Sequence, residues 1–319
     1  MKKILVTGGA GFIGSHLSRK LIAKKRQVII VDNFNSYYSP KFKKERLKIL
    51  LPKNKYKLYK IDITNWKKLK KIFQKHKPEI ICHLAAIAGA RNSLKKPQLY
   101  AKTNIIGTLN LLELAKDFKV KNFVYASSSS VYGDNKKIPF AEKDITDYPA
   151  SPYGATKKTT ELLAYIYQRN FKLPCTGLRF FTVYGPWGRP DMAYFQFAQK
   201  ILQNKEIELY NYGNMKRDFT YIDDIVDGIY KALNHKFNFQ IFNLGNNHPI
   251  QLKYFVKILE KYLNKKAKIK FVPMHKGDVL ATWANIKKTK EKLSWEPKTD
   301  AKKGLKKFCR WFKSYYGNI

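Results

Sequence analysis

Tyr153 and Lys157 stand four residues apart in SPYGATK (151–157), a spacing that makes a phenol and an ammonium neighbours on one face of a helix. Ser151 is a favourable N-cap and Pro152 suits the first helical position, so the stretch predicts a helix opening there. A tyrosine of ordinary pKa, about 10, is a weak base at neutral pH. Positive charge beside it favours the phenolate, and Lys157 is expected to supply that charge and lower the value. Upstream, YASSSSVYG (125–133) offers the hydroxyls of Ser128, Ser129 and Ser130 to hold a substrate alcohol beside the phenol. Tyr and Lys at this spacing also occur by chance on many helices, so the pair acquires chemical meaning only with a second signal.

That signal lies near the start of the chain. VTGGAGFIGSHL follows an apolar run and carries Gly8, Gly11 and Gly14 as G-x-x-G-x-x-G, with Phe12 and Ile13 between the last two glycines. Glycines so spaced permit a tight strand-to-helix turn and close backbone approach to a pyrophosphate, which the helix N-terminus then favours electrostatically. Asp32, followed by Asn33, ends the next apolar run 18 residues after Gly14. A carboxylate there can accept from a ribose 2′-OH and repels a 2′-phosphate, so the expected cofactor is NAD rather than NADP. The rival reading makes Asp32 a mere strand-end cap. Asp62 and Ile63 close the third run and are expected near the adenine.

The elements that must position these residues are visible as alternation. KILVT, QVIIVD, YKLYKID, IICHLAA, NFVYASS and CTGLRFF read as strands separated mostly by helical stretches, the pattern of an α/β fold with a parallel sheet covered on both faces. The expected architecture is a Rossmann-type doubly wound parallel sheet with a smaller interleaved α/β substrate domain. Residues 1–180, with return segments at about 219–246, are assigned to the NAD-binding domain. Residues 181–319, mainly 181–218 and 247–319, are assigned to the smaller one. FTYIDDIVDGIYKAL and QIFNLG are expected to return to the sheet, and the tail from Gln251 reads as helix, strand, loop and final helix.

Composition bounds the function. The 319 residues are 44% hydrophobic, enough for a sizeable core, and carry a formal charge of +40. Only nine of the 63 basic residues are arginine, and the lysines are spread along the chain. Nucleic-acid binders concentrate charge and lean on arginine, so the expectation is a solvated lysine surface that attracts anionic substrates, with no specific nucleic acid partner. Cys82, Cys175 and Cys309 are far apart and show no metal spacing, so no metal site is expected and a reducing, cytoplasmic setting fits. MKKILVTGG reads as a first strand rather than a leader, and no run approaches the ~18 apolar residues of a membrane span.

T-G-x-x-G-x-x-G at Thr7–Gly14, HLAA at 83–86, SSSSVYG at 127–133 and YGATK at 153–157 together resemble the extended short-chain dehydrogenase/reductase family, the NAD-dependent sugar-nucleotide epimerases and dehydratases. The likeness extends through RDFTYIDDIVDGI and GDVLATWANIKK. HLAAIAGAR, LRFFTVYGPWGRPDMA and YNYGNMKRDFTYIDD bring it nearest the UDP-glucuronate 4-epimerases within that family. The resemblance implies C4 epimerisation of a UDP-hexuronic acid, UDP-glucuronate to UDP-galacturonate, through a transient 4-keto sugar. Tyr153 would be the acid/base, Lys157 its tuning partner on the nicotinamide ribose, and Ser128 the conserved-type hydroxyl. Leu84, Ala85 and Ala86 would line the cofactor. Arg217 would grip the diphosphate, Asp278 lie near the uridine ribose, and Tyr210 line the uracil.

For the uronate carboxylate the candidate is Arg189, whose guanidinium fork matches a carboxylate bidentately; an ion pair with Asp191 is its competing reading. Thr182, Ser129 and Ser130 would add neutral donors, with Arg91 nearby. A 4,6-dehydratase needs an Asp–Glu pair after the catalytic hydroxyl, where this chain has Ser129 and Ser130. A UDP-glucose/UDP-galactose 4-epimerase is the alternative within the enzyme class, and a non-catalytic Rossmann-type binding protein is the alternative outside it. In the family, helices corresponding to QLYAKTNIIGTLNLLELAKDF and YGATKKTTELLAYIYQRNF form a four-helix interface, so a homodimer is expected.

Overall fold

The apolar runs pair in parallel, Leu5 beside Ile29 on one side and Ile81 on the other, in the computed structural model, which describes residues 2–274 and 280–317. In chain order the strands are β1 (Lys3–Thr7), β2 (Gln27–Asp32), β3 (Tyr56–Lys60), β4 (Ile80–His83), β5 (Asn122–Ser128), β6 (Cys175–Phe180), β7 (Thr182–Tyr184), β8 (Glu206–Tyr210), β9 (Lys216–Arg217), β10 (Phe219–Tyr221), β11 (Phe239–Leu244), β12 (Ile250–Gln251), β13 (Lys268–Val272) and β14 (Ala281–Thr282). The helices are α1 (Phe12–Ala23), α2 (Pro40–Leu50), α3 (Trp66–His76), α4 (Ala90–Lys95), α5 (Pro97–Tyr100), α6 (Gly107–Asp117), α7 (Pro152–Phe171), α8 (Ala193–Leu202), α9 (Ile222–Asn234), α10 (Leu252–Leu263), α11 (Lys287–Leu293) and α12 (Ala301–Tyr316).

Seven strands form the main sheet in the order β3-β2-β1-β4-β5-β6-β11, every adjacent pair parallel. Winding reverses between β1 and β4, and in doubly wound sheets a crevice opens at that switch, beyond the carboxyl ends of the strands. Alternate strand residues face opposite layers. Ile4, Val6, Ile30, Cys82 and Val124 pack in a cluster with α1 and α9, whereas Leu5, Ile29, Ile81, Phe123 and Cys175 pack with α3, α6 and α7. Fully burying each such side chain contributes about 1.5–3 kcal/mol, which holds the sheet between its two helix layers. The first cluster continues without a break through Phe181, Trp187 and Phe195 to Phe308 and Phe312 of α12. The second half of the chain therefore shares its core with the sheet.

Two elements differ from expectation. Of FTYIDDIVDGIYKAL, only Phe219–Tyr221 is extended, and it pairs with β7 in a separate two-stranded sheet; the rest is α9. Ile222, Ile225, Val226, Ile229 and Leu233 fall at helical spacing on the buried side, and Asp223 and Asp224 in the first turn suit the helix N-terminus. QIFNLG does return to the main sheet, as β11. The run QLYAKTNIIGTLNLLELAKDF is not one regular helix: Ala101–Ile106 is a π-turn between α5 and α6. Within it, the Asn104 amide is hydrogen-bonded to the Ile87 backbone.

Asp218 ties the second half together. Its carboxylate accepts from the backbone N–H groups of Asn246 (2.5 Å), Asn247 (3.1 Å) and Ala284 (2.9 Å), joining two separate segments to the β9–β10 junction. No helix among the described residues is long and apolar enough to cross a membrane.

Candidate active site

The carboxyl ends of β1, β2, β4, β5 and β6 open onto a cleft of about 800 Å³. At its dinucleotide end the glycine turn is shaped by close approach. Gly8 has φ +69, and a Cβ there would lie 2.8 Å from the Ala85 nitrogen; a Cβ on Gly14 would lie 2.2 Å from the Gly8 carbonyl oxygen. Gly11 is the N-cap of α1 and brings no capping side chain, and Gly11, Phe12, Ile13 and Gly14 all line the cleft. The Asp32 carboxylate accepts from the N–H of Ala10 at 3.0 Å and of Phe34 at 2.8 Å. Burial pushes its pKa up, while those two hydrogen bonds and the Lys43 charge pull it back. Asp32 thus caps the turn and, since each carboxylate oxygen has a second lone pair, keeps acceptor capacity for a ribose. Glycines with no room for a Cβ, a helix N-terminus in the wall and a carboxylate at the end of β2 fit a bound dinucleotide.

Asn33, Ile63, Leu84, Ala85 and Ala86 also line the cleft, but Asp62 does not. Its carboxylate is used by its neighbours: Asn33 Nδ2 donates to it at 2.7 Å, and the Thr64 N–H and Oγ1 donate at 2.8 and 2.7 Å. Burial raises its pKa, yet these bonds outweigh burial and leave it lowered. Two cations that sequence reasoning missed secure this end. Lys43 Nζ donates to the Asn35 carbonyl (2.8 Å) and side chain (2.9 Å), and the buried Arg46 donates to the Ala10 carbonyl (2.8 Å) and the Tyr38 hydroxyl (2.8 Å). The polar, aromatic stretch NFNSYYS directly after Asp32 was the available signal.

At the other end, Ser151 caps α7 by accepting from the Gly154 N–H at 3.2 Å, with Pro152 in the first turn. A Cβ on Gly154 would sit 2.6 Å from the Ser130 carbonyl oxygen, so glycine lets the helix start press against the serine turn. Tyr153, Lys157, Ser128, Ser129 and Ser130 all line the cleft. Burial raises the Tyr153 pKa, opposed by a hydrogen bond from Ser128 and by the Arg189 charge. In the protein alone the net direction is upward rather than the lowering expected, because burial outweighs these groups; the Lys157 ammonium lies against the Ala126 carbonyl at 2.8 Å. Burial lowers Lys157 itself to about 8, with Glu161 one turn along pulling it back up.

Behind these groups is a second layer found only in three dimensions. Thr7 Oγ1 and Thr108 Oγ1 flank His83 at 2.8 and 2.9 Å, fastening the ends of β1 and β4 to α6. Burial and then the Lys157 charge hold the His83 pKa down at about 3, so this imidazole is neutral. Asn104 donates to Thr156 of α7 at 3.0 Å as well as to Ile87, and π-turns recur where helices serve functional sites. Ser127, facing away from Ser128, donates to the buried Glu161 carboxylate at 2.6 Å.

Of the expected substrate residues, Arg91, Thr182 and Arg189 line the cleft with the serines, while Tyr210 and Arg217 lie outside its wall. Arg91 nonetheless stacks on the Tyr210 ring at 5.4 Å, and Arg217 Nη1 donates to the Lys216 carbonyl at 2.9 Å. Asp278 lies outside the described residues. Arg189 forms the ion pair that was its competing reading, Nε to Asp191 Oδ1 at 3.0 Å and Nη2 to Oδ2 at 2.5 Å.

A Rossmann-type sheet whose cleft joins a dinucleotide turn to a Ser–Tyr–Lys set defines the short-chain dehydrogenase/reductase class. Within it, the chain belongs to the NAD dependent epimerase/dehydratase family, whose model matches residues 4–245. It is 46% identical over 310 residues to a UDP-glucuronate 4-epimerase of Thermodesulfobacterium geofontis, covering 97% of this chain and 95% of that protein. Among solved structures, UDP-glucuronic acid 4-epimerase from Bacillus cereus, in complex with UDP-glucuronic acid and NAD, superposes with a TM-score of 0.92 at 36% identity, covering 98% of this chain and 100% of the other. UDP-glucose 4-epimerase from Thermotoga maritima, with UDP-glucose, superposes at 0.90 with 36% identity, covering 98% and 99%.

Proposed function

We propose that this protein is an NAD-dependent 4-epimerase that interconverts UDP-glucuronate and UDP-galacturonate. The observation that carries the reading is a single cleft lined by the dinucleotide turn, by Ser128, Tyr153 and Lys157, and by the guanidinium-bearing Arg189. The likeness to a glucuronate enzyme at 46% identity supports it. Overall shape alone does not choose the sugar, because glucose and glucuronate enzymes superpose almost equally well.

The residues act as follows. Gly8, Gly11 and Gly14 with the start of α1 take the pyrophosphate, and Asp32 takes the adenosine ribose. NAD, when bound, supplies the acceptor and donor of hydride at sugar C4 and a further positive charge near the phenol. Tyr153 accepts the 4-OH proton and returns it after the 4-keto sugar has turned in the pocket, with Ser128 holding the alcohol beside it. Lys157, anchored on Ala126, keeps a positive charge one helical turn from the phenol. Arg189, with Thr182, Ser129 and Ser130, meets the uronate carboxylate. Arg91 is assigned beside this uronate group, and Tyr210, Arg217 and Asp278 to the nucleotide of the substrate. Residues 1–180 with about 219–246 are assigned to cofactor binding, and 181–218 with 247–319 to substrate binding.

We also infer a homodimer through α6 and α7, supported by Leu162, Tyr165, Ile166 and Phe171, apolar side chains exposed on α7. A cytoplasmic setting is supported by three free, buried cysteines. Incubation with UDP-glucuronate and, separately, UDP-glucose, followed by separation of the C4 epimers, tests the substrate. UDP-galacturonate is the expected product; conversion of UDP-glucose alone would replace this reading with the glucose epimerase. Tyr153→Phe should retain bound NAD and lose turnover by about 10²–10⁴-fold.

A further inference from the structure

Arg189 and Asp191 are two residues apart on the loop before α8, and both line the cleft. Asp191 occupies one edge of the guanidinium, Nε and Nη2, in the fork geometry a substrate carboxylate would use. Tyr37 holds both partners. Its hydroxyl donates to Asp191 Oδ2 at 3.2 Å, and its ring lies 5.4 Å from the Arg189 Cζ. The pair is 23% and 33% exposed, so another anion can reach it.

Resting on the uronate reading above, we propose that Asp191 is a positioning residue that stands in for the substrate carboxylate on Arg189, so that the keto sugar can let go and turn. The physical problem is the strength of the grip. A lone guanidinium in a low-dielectric cleft holds a carboxylate through charge-assisted, bidentate hydrogen bonds. Binding of that kind, equal in both sugar orientations, deepens the ground state and raises the barrier between them. With Asp191 at the same edge, release of the sugar carboxylate is an exchange of one anion for another and leaves no bare cation behind. Tyr37 keeps the incoming aspartate within reach and gives the guanidinium a platform throughout the exchange.

The test compares UDP-glucuronate with UDP-glucose on the NAD-loaded enzyme. Asp191→Asn keeps the size and the Tyr37 contact but removes the competing charge. It should tighten UDP-glucuronate binding by about tenfold in calorimetry and lower kcat by a similar factor, each tenfold being 1.4 kcal/mol. UDP-glucose, having no carboxylate, should show neither change. Tyr37→Phe should move both quantities the same way by a smaller factor, and serves if Asp191→Asn does not fold. Weaker uronate binding in Asp191→Asn, or an equal loss of kcat on both sugars, would reduce Asp191 to a structural brace and overturn the proposal. If wild-type enzyme leaves UDP-glucuronate unbound and unconverted, the function reading falls first; if wild type converts it and the variant shows no split, this inference alone falls.

Discussion

Two arginine–carboxylate forks in this chain share a geometry and differ in their surroundings. Arg179 and Glu161 are joined by Nε and Nη2 bonds of 2.8 Å each, and both side chains are only 3% exposed. Every neighbour tightens that pair: Ser127 donates to Glu161, Arg179 Nη1 donates to the Glu142 carbonyl at 3.3 Å, and the guanidinium lies over the Tyr132 ring at 4.8 Å. Arg189 and Asp191 have nearly the same fork but face the cleft. A buried pair with its hydrogen bonds committed has no affordable alternative to staying closed, because an unpaired buried charge is costly. The cleft pair can exchange one partner for a ligand. Similar chemistry thus makes a scaffold in the buried interior and an adjustable contact in the cleft wall.

The largest expected difference is in stability. Glu161→Ala strands Arg179 and should cost about 3–5 kcal/mol in denaturant unfolding, whereas Arg189→Met should cost under about 1 kcal/mol. Equal losses would erase the distinction. Replacing both buried partners by apolar residues, Arg179→Met with Glu161→Leu, should recover most of that loss.

Next in size is substrate selectivity. Arg189→Met should reduce kcat/KM on UDP-glucuronate by about 10–100-fold, the worth of a charged hydrogen bond, and spare UDP-glucose. A matching loss on both sugars would make Arg189 part of the frame instead.

The pH profile sharpens the comparison further. Lys157 holds its proton only to about pH 8 in the folded enzyme, against about 10.4 in an unfolded chain. Between those values the unfolded state binds more protons, so this group's contribution to stability rises with pH, while activity that depends on the ammonium falls. Glu161→Gln removes the carboxylate that favours the charged form and should move the basic limb of kcat/KM to lower pH. Asp191→Asn should leave that limb in place. Smallest of all, raising ionic strength should increase the UDP-glucuronate KM a few-fold through the exposed fork and leave the buried one untouched.

Much of the frame was readable because it is local. Strand and helix periods, the glycine turn between β1 and α1, and Tyr153 one turn from Lys157 all depend on residues close in sequence, and each appears where the pattern placed it. The misreadings arose where a local pattern was overruled by distant groups. The π-turn at 101–106 carries Asn104, which bonds to the distant Ile87 and Thr156, and Phe219–Tyr221 is claimed by the adjacent β7 rather than by the main sheet.

Sequence by itself therefore determined the α/β alternation, the glycine turn and the placing of Tyr153 one helical turn from Lys157, since short-range sterics and hydrogen bonding specify them. Only the tertiary structure decided that Tyr153 is buried enough to raise its pKa, that the Lys157 amine is held by Ala126, and that Arg189 is paired with Asp191 over Tyr37. Charge interactions and desolvation depend on distance and burial in space, and segments as far apart as residues 37, 153 and 189 acquire those only when the chain has folded.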